Sequence, residues 1–130
     1  MIKKVIVNLF ILRSLRAFAV ERSFFSDETE NLENYFEIEY KSFTDGEVIL
    51  KNVSYDVNMY STSTRVRIKL EALKEDGGWN KFNKKTFDKL MIELSSIIKK
   101  DRNDVKHPVN IVVKIDKEVG IDELVYNKNF

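Results

Sequence analysis

The chain has 130 residues, of which 43% are hydrophobic, and its formal net charge is +1. This length and composition suffice for one domain with a packed core, and the absence of cysteine excludes a disulfide framework, a zinc–thiolate site and a cysteine nucleophile. Residues 1–19 carry four basic residues and no acid, which leaves 18 basic against 21 acidic residues in the rest. This mildly acidic remainder argues against nucleic-acid binding, which depends on clustered Lys and Arg.

The first 19 residues combine a positive start with a short apolar run. Lys3 and Lys4 supply the charge, Val5–Leu12 forms the apolar run, and Ala17 and Ala19 form an A-x-A pattern. In this order the three features resemble a bacterial secretory signal peptide, in which small residues precede the cleavage point. The resemblance implies cleavage after Ala19 and an exported, periplasmic or secreted product. The apolar run is too short for a transmembrane span, which takes about 20 apolar residues.

Two other interpretations of this segment stay open. Arg13 and Arg16 follow the apolar run, where a signal peptide is normally uncharged, and the spacing of Leu9, Leu12 and Leu15 is typical of an amphipathic helix. Such a helix would dock on the domain, and the protein would then be a cytosolic assembly or regulatory subunit. A basic helix lying on an anionic membrane surface is the third interpretation.

Residues 20–35 are predicted as a connector and residues 36–130 as a single α+β domain. Within the connector, Ser26 would cap a short helix. From Phe36 to Lys41 apolar and polar residues alternate, as in a half-buried strand, and Asp45-Gly46 supplies a two-residue turn into a second strand. The resulting register places Phe36 opposite Tyr55, Ile38 opposite Val53 and Phe43 opposite Val48.

The remaining pattern predicts two more strands around one main helix and then a final strand. The second strand ends at Met59, and it is followed by a strand at Val66–Ala72, a helix at Asn83–Lys100 and strands at Val109–Ile115 and Leu124–Tyr126. The helix has one apolar stripe, made of Phe87, Leu90, Met91, Leu94 and Ile98. The predicted fold is therefore α+β: an antiparallel sheet of four to five strands in the order β-β-β-α-β-β, with the helix packed on one face.

Patterns of catalytic and metal-binding residues are sparse. His107 is the only histidine and lies at a loop-to-strand boundary, so it is predicted as a surface residue. A multi-histidine metal site is excluded, and the chain lacks the G-x-S-x-G elbow of a serine hydrolase and the Lys-Ser or Lys-Thr of a phosphate-binding loop. No cofactor is predicted. Carboxylate pairs such as Glu37 and Glu39 leave a small carboxylate-dependent hydrolase as the third candidate function.

A basic strand face points to recognition. Arg65, Arg67 and Lys69 project from one side of the third strand, about 6.5–7 Å apart. This arrangement suits an acidic partner or an anionic polymer. The competing interpretation is a solvated face whose charges pair with acids on the neighbouring strand, such as Glu37 or Glu39.

Trp79 is the second candidate recognition residue. It follows a Gly-Gly pair in a loop, where an exposed tryptophan would be a contact anchor, and packing beneath the helix is the other interpretation.

From these features the leading hypothesis is an exported, non-enzymatic domain that binds another protein or a cell-envelope component. The pattern does not identify the partner or the oligomeric state.

Overall fold

The computed structural model describes residues 21–72, 78–117 and 120–130. The predicted cleavage site at Ala17 and Ala19, and the whole of residues 1–19, lie outside the described residues. The described elements are α1 (Glu21–Glu39), β1 (Phe43–Thr44), β2 (Ile49–Leu50), β3 (Ser54–Met59), β4 (Thr64–Ala72), a short 3-10 helix (Trp79–Lys81), α2 (Lys84–Asp101), β5 (Val109–Lys117) and β6 (Glu123–Asn129). The fold is α+β, as predicted, with one main helix packed on a sheet.

The main sheet is mixed, with the strand order β3-β4-β5-β6, while β1 and β2 form a separate hairpin. The β3–β4 and β5–β6 pairs are antiparallel, but β4 and β5 run parallel. The prediction of a purely antiparallel sheet is therefore wrong. The reason is the position of α2 in the chain: it connects β4 to β5 and returns the chain to the end at which β4 begins, so the two strands share a direction.

The strand predicted from Phe36 is also wrong, because α1 extends through it to Glu39. Leu32 and Phe36, four residues apart on one side of the helix, are fully buried, whereas Ile38 is 68% exposed. A strand would bury Phe36 and Ile38 on the same face. The helix also includes Ser26, which is therefore not its cap.

The turn of the β1–β2 hairpin lies one residue later than predicted. The Asp45 N–H donates to the Val48 carbonyl at 3.2 Å, so Gly46 is the first of the two central turn residues. Its φ of 98° is the left-handed conformation that a type II′ hairpin requires at this position. Phe43 consequently pairs with Leu50, and both side chains are buried.

The predicted main helix is confirmed, and its bounds are close to those predicted. Asn83 caps α2, because its side-chain oxygen accepts the N–H groups of Lys85 and Thr86. The apolar stripe faces the sheet, and four of its members are fully buried: Phe87, Met91, Leu94 and Ile98. One face of the sheet is therefore covered by an apolar layer.

An aromatic cluster around Phe87 joins the separate pieces of this layer. The centroid of the Phe87 ring lies 4.8 Å from that of Trp79, 5.1 Å from Tyr126, 5.6 Å from Phe43 and 6.0 Å from Phe82. All four contacts are edge-to-face, the arrangement that aromatic quadrupoles favour. The cluster connects α2 to the β1–β2 hairpin, to the 3-10 helix and to β6.

Candidate functional site

The second face of the main sheet is polar. Along β4, Val66, Ile68 and Leu70 are buried against the helices, and the residues between them point the other way. We call this second side the open face, and it consists of Ser54, Asp56, Asn58, Arg65, Arg67, Lys69, Glu71, Asn110, Val112, Lys114, Asp116, Leu124, Asn127 and Asn129. Each of these residues is exposed or half-buried.

A row of amides on the open face orders Arg65. Its Nε donates to the Asn110 Oδ1 atom at 3.1 Å. The Asn110 Nδ2 atom in turn donates to Oδ1 of Asn127 at 2.9 Å and to Oδ1 of Asn129 at 2.8 Å. Within the described part of the chain, the two terminal amino groups of Arg65 have no hydrogen-bond partner. The guanidinium group is therefore held in one place while its outer edge stays available for an anion.

Three more basic side chains lie beside Arg65. Arg67 and Lys69 follow it at two-residue intervals on β4, and the parallel register places Lys114 of β5 next to Lys69. All three are exposed. We call these four side chains, Arg65, Arg67, Lys69 and Lys114, the basic cluster. The three predicted basic residues of β4 thus share one solvent-facing side, and Lys114 of β5 lies on the same side.

The ion pairs of the basic cluster are long, and their side chains are exposed except for the half-buried Asp122. Arg67 lies 3.5 Å from Asp56 of β3, and Lys69 lies 3.5 Å from Asp122. The competing interpretation, pairing with acids of the neighbouring strand, holds for Arg67 and Asp56. The acids named for it, Glu37 and Glu39, are not the partners, because both belong to α1. Exposed pairs of this kind contribute little to stability, about 0–1 kcal/mol, so a ligand can replace them at low cost.

Acidic residues bound the basic cluster on two sides. Asp56 lies on the β3 side, and Glu71 and Asp116 lie opposite each other where β4 and β5 end. All three side chains are exposed. The positive potential is therefore confined to a stretch of about three alternate residues of β4 and does not continue along the whole strand.

Trp79 is a core residue. Its side chain is 7% exposed and packs edge-on against Phe87. The Lys84 ammonium group lies over the indole ring, 4.4 Å from its centroid. The structure therefore places Trp79 beneath the helix, where it is not accessible as a contact anchor.

His107 is buried, contrary to the prediction of a surface residue. It is 3% exposed, and its Nε2 atom lies 2.8 Å from the Thr64 Oγ1 atom. The Thr64 N–H donates to the Pro108 carbonyl at 3.0 Å, so these contacts join the first residue of β4 to the residues just before β5. Burial, assisted by the nearby charge of Arg102, lowers the pKa of His107. This geometry assigns His107 to the packing of the two parallel strands.

A second basic region lies at the C-terminal end of α2. An open cavity of about 800 Å³ is lined there by Lys99, Lys100, Lys106 and neighbouring residues. In the described part of the chain no hydrogen bond orients these three ammonium groups, in contrast to Arg65. The described residues also contain no group of three His, Asp or Glu side chains that could hold a metal ion. The open face is therefore the better ordered candidate site.

No family model, curated protein or solved structure matches the chain. Of the helices in the described ranges, none has the length and apolar character needed to cross a membrane.

Proposed function

We propose that the protein is an exported, non-enzymatic domain that binds another protein or a cell-envelope component through the open face. The observation that carries this proposal is the ordered Arg65 guanidinium within the basic cluster. A side chain that is ordered before binding loses less conformational entropy on contact with a ligand. Anionic groups of the partner would pair with the basic cluster.

The small contribution of the open-face charges to folding supports this assignment. The Arg67–Asp56 pair is exposed and the Lys69–Asp122 pair is partly exposed. Both are 3.5 Å long, so they add little to the free energy of unfolding. The opposite face already supplies a continuous apolar core. An ordered arginine with three basic neighbours that adds little to stability is suited to binding an anionic partner.

The binding proposal can be tested with two charge-reversed variants of the full chain. The first carries Arg65→Glu, Arg67→Glu and Lys69→Glu. The second changes three exposed lysines of α2, Lys85, Lys89 and Lys100, to Glu, so that both variants lose the same net charge.

Binding to a short acidic peptide, tetra-L-glutamate, should be measured by calorimetry at low salt for the unmodified chain and for both variants. We expect the sheet variant to lose binding and the α2 variant to retain most of it. Equal losses in the two variants, or no binding by the unmodified chain, would contradict the proposal.

Export is proposed from the resemblance of residues 1–19 to a signal peptide. The test is the intact mass of the protein purified from its native host, together with cell fractionation. A mass corresponding to residues 20–130 in the envelope or medium supports export. A full-length product in the cytosol contradicts it and favours the alternative, a cytosolic assembly or regulatory subunit that retains the segment.

A further inference from the structure

We infer that the open face recognises an extended acidic segment of a partner protein that carries a carboxylate at every second residue. This inference rests on the proposed function and specifies the chemistry of its ligand. It follows from three properties of the basic cluster: its spacing, the orientation of Arg65 and the acids that bound it.

The spacing of the basic cluster matches an extended chain. Arg65, Arg67 and Lys69 lie on the same side of β4, and alternate residues of a strand are about 6.5–7 Å apart. An extended peptide lying along β4 presents its own alternate side chains at the same interval. A helical ligand presents successive turns about 5.4 Å apart and would lose register within two contacts.

The orientation of Arg65 favours a carboxylate as the group that it binds. Its Nε atom is committed to Asn110, and Asn110 is fixed by two further amides of β6. The remaining edge of the guanidinium presents two terminal N–H groups, the geometry that receives both oxygens of one carboxylate. Lysine at this position would supply the charge without the paired geometry.

The bounding acids favour a short protein segment over a long uniform polyanion. A polyanion that continued along β4 beyond Lys69 would meet the carboxylates of Glu71 and Asp116, which would repel it. A peptide can place a basic residue at that point. The matching partner pattern is acid-x-acid-x-acid-x-base, with its basic residue opposite Glu71 and Asp116.

Two synthetic peptides of identical composition test this register. Acetylated ETETETK amide has alternating carboxylates and a terminal lysine, whereas EEETTTK has the same residues with the carboxylates in a block. Binding of the full chain to each should be measured by calorimetry in the same low-salt buffer. We expect the alternating peptide to bind about tenfold more tightly, equivalent to about 1.4 kcal/mol.

Arg65→Lys is the matched variant, because it keeps the charge and removes the bidentate hydrogen bonding of the guanidinium group. We expect it to reduce the preference for the alternating peptide to about twofold, since a lysine acts as a point charge. Lys89→Gln on α2 is the control and should keep the full preference. An Arg65→Lys variant that retained the tenfold preference would overturn the role assigned to Arg65.

The outcomes separate this inference from the proposed function. If both peptides bind equally and the reversal of the three β4 residues abolishes both, the extended register is overturned while the open face remains the binding site. If neither peptide binds and inorganic polyphosphate does so through the open face, the protein ligand is overturned. If binding of every probe is unchanged by the reversal of the three β4 residues, the proposed function fails as well.

Discussion

The two faces of the four-stranded sheet differ in what holds their side chains in place. On the covered face, Phe87 is fully buried and four aromatic rings surround it, so packing fixes its position. On the open face, Arg65 is held by a hydrogen bond to an amide network at the surface. Packing stabilises the fold at the first site, while hydrogen bonding orders a charged group for contact at the second. Substitutions on the two faces should therefore separate stability from binding.

The largest effect is expected from Phe87→Ala on the covered face. The substitution removes a buried ring with contacts to four others, and we expect a loss of about 3–5 kcal/mol in the free energy of unfolding. Urea denaturation followed by circular dichroism provides the measurement. Val112→Ala on the open face is the control and should cost less than about 1 kcal/mol. A similar loss in both variants would contradict the distinction between the faces.

A smaller loss of stability is expected from Asp45→Asn, which weakens the connection between the β1–β2 hairpin and α2. The Asp45 carboxylate accepts the backbone N–H groups of Val48 at 2.7 Å, Glu47 at 2.8 Å and Asn83 at 2.8 Å. These donors lower the pKa of Asp45, so its contribution is complete at neutral pH and is lost as the pH falls through that lowered value.

Thermal unfolding should be compared at pH 7 and at pH 3 for this variant. We expect a melting temperature several degrees below that of the unmodified chain at pH 7, with a smaller difference at pH 3. A difference that stayed constant or grew towards acid pH would show that the charge of Asp45 has no part in this connection.

The next effect is a dependence of stability on pH that originates at His107. Its pKa is lowered by burial, so the folded chain binds a proton less readily than the unfolded chain does. Stability is therefore expected to fall as the pH drops below about 6.5, the ordinary histidine value. His107→Gln keeps a polar group near Thr64 and removes this titration.

Melting temperatures between pH 7.5 and pH 5.5 compare the two proteins. The unmodified chain should lose more stability over this interval than the His107→Gln variant, because the other titrating groups are common to both. Equal slopes would mean that His107 does not contribute to the pH dependence.

The smallest effect on stability is expected from Arg67→Ala on the open face. The ion pair of Arg67 with Asp56 is 3.5 Å long, and its two side chains are 52% and 59% exposed. We expect the free energy of unfolding to change by less than about 0.5 kcal/mol in urea denaturation. The affinity for tetra-L-glutamate should nevertheless fall. A large loss of stability would place Arg67 among the residues that hold the fold together.

The periodicity of apolar residues predicted the helices and strands that bury one face and expose the other along their whole length. The alternation from Val66 to Leu70 and the apolar stripe of α2 each have a single interpretation, and both were confirmed. Around Phe36 two periods coexist, because residues 32 and 36 fit a helix while residues 36 and 38 fit a strand. The exposure of Ile38 distinguishes them, and it depends on the tertiary structure.

The parallel pair of strands was accessible from the order of the elements. A strand, a helix and a strand in succession indicate a crossover, and a crossover places two adjacent strands parallel. The order of Val66–Ala72, the main helix and Val109–Ile115 carried this signal.

The amide network of the open face was not accessible from the sequence. Asn110 lies 45 residues from Arg65, and Asn127 and Asn129 come from another strand. Their proximity depends on the register of three strands, which no local pattern specifies. The basic residues of β4 were predictable by alternation, whereas the groups that order Arg65 required the fold.

An NMR titration of the ¹⁵N-labelled full chain with the alternating peptide ETETETK tests the central claim most directly. The Nε–Hε signal of Arg65 and the backbone amides of Arg67, Lys69, Asn110 and Lys114 should shift together and saturate. Signals of α2, including Lys89, should stay in place. Shifts concentrated on α2, or no shift on the open face at saturating peptide, would contradict the assignment of this face to recognition.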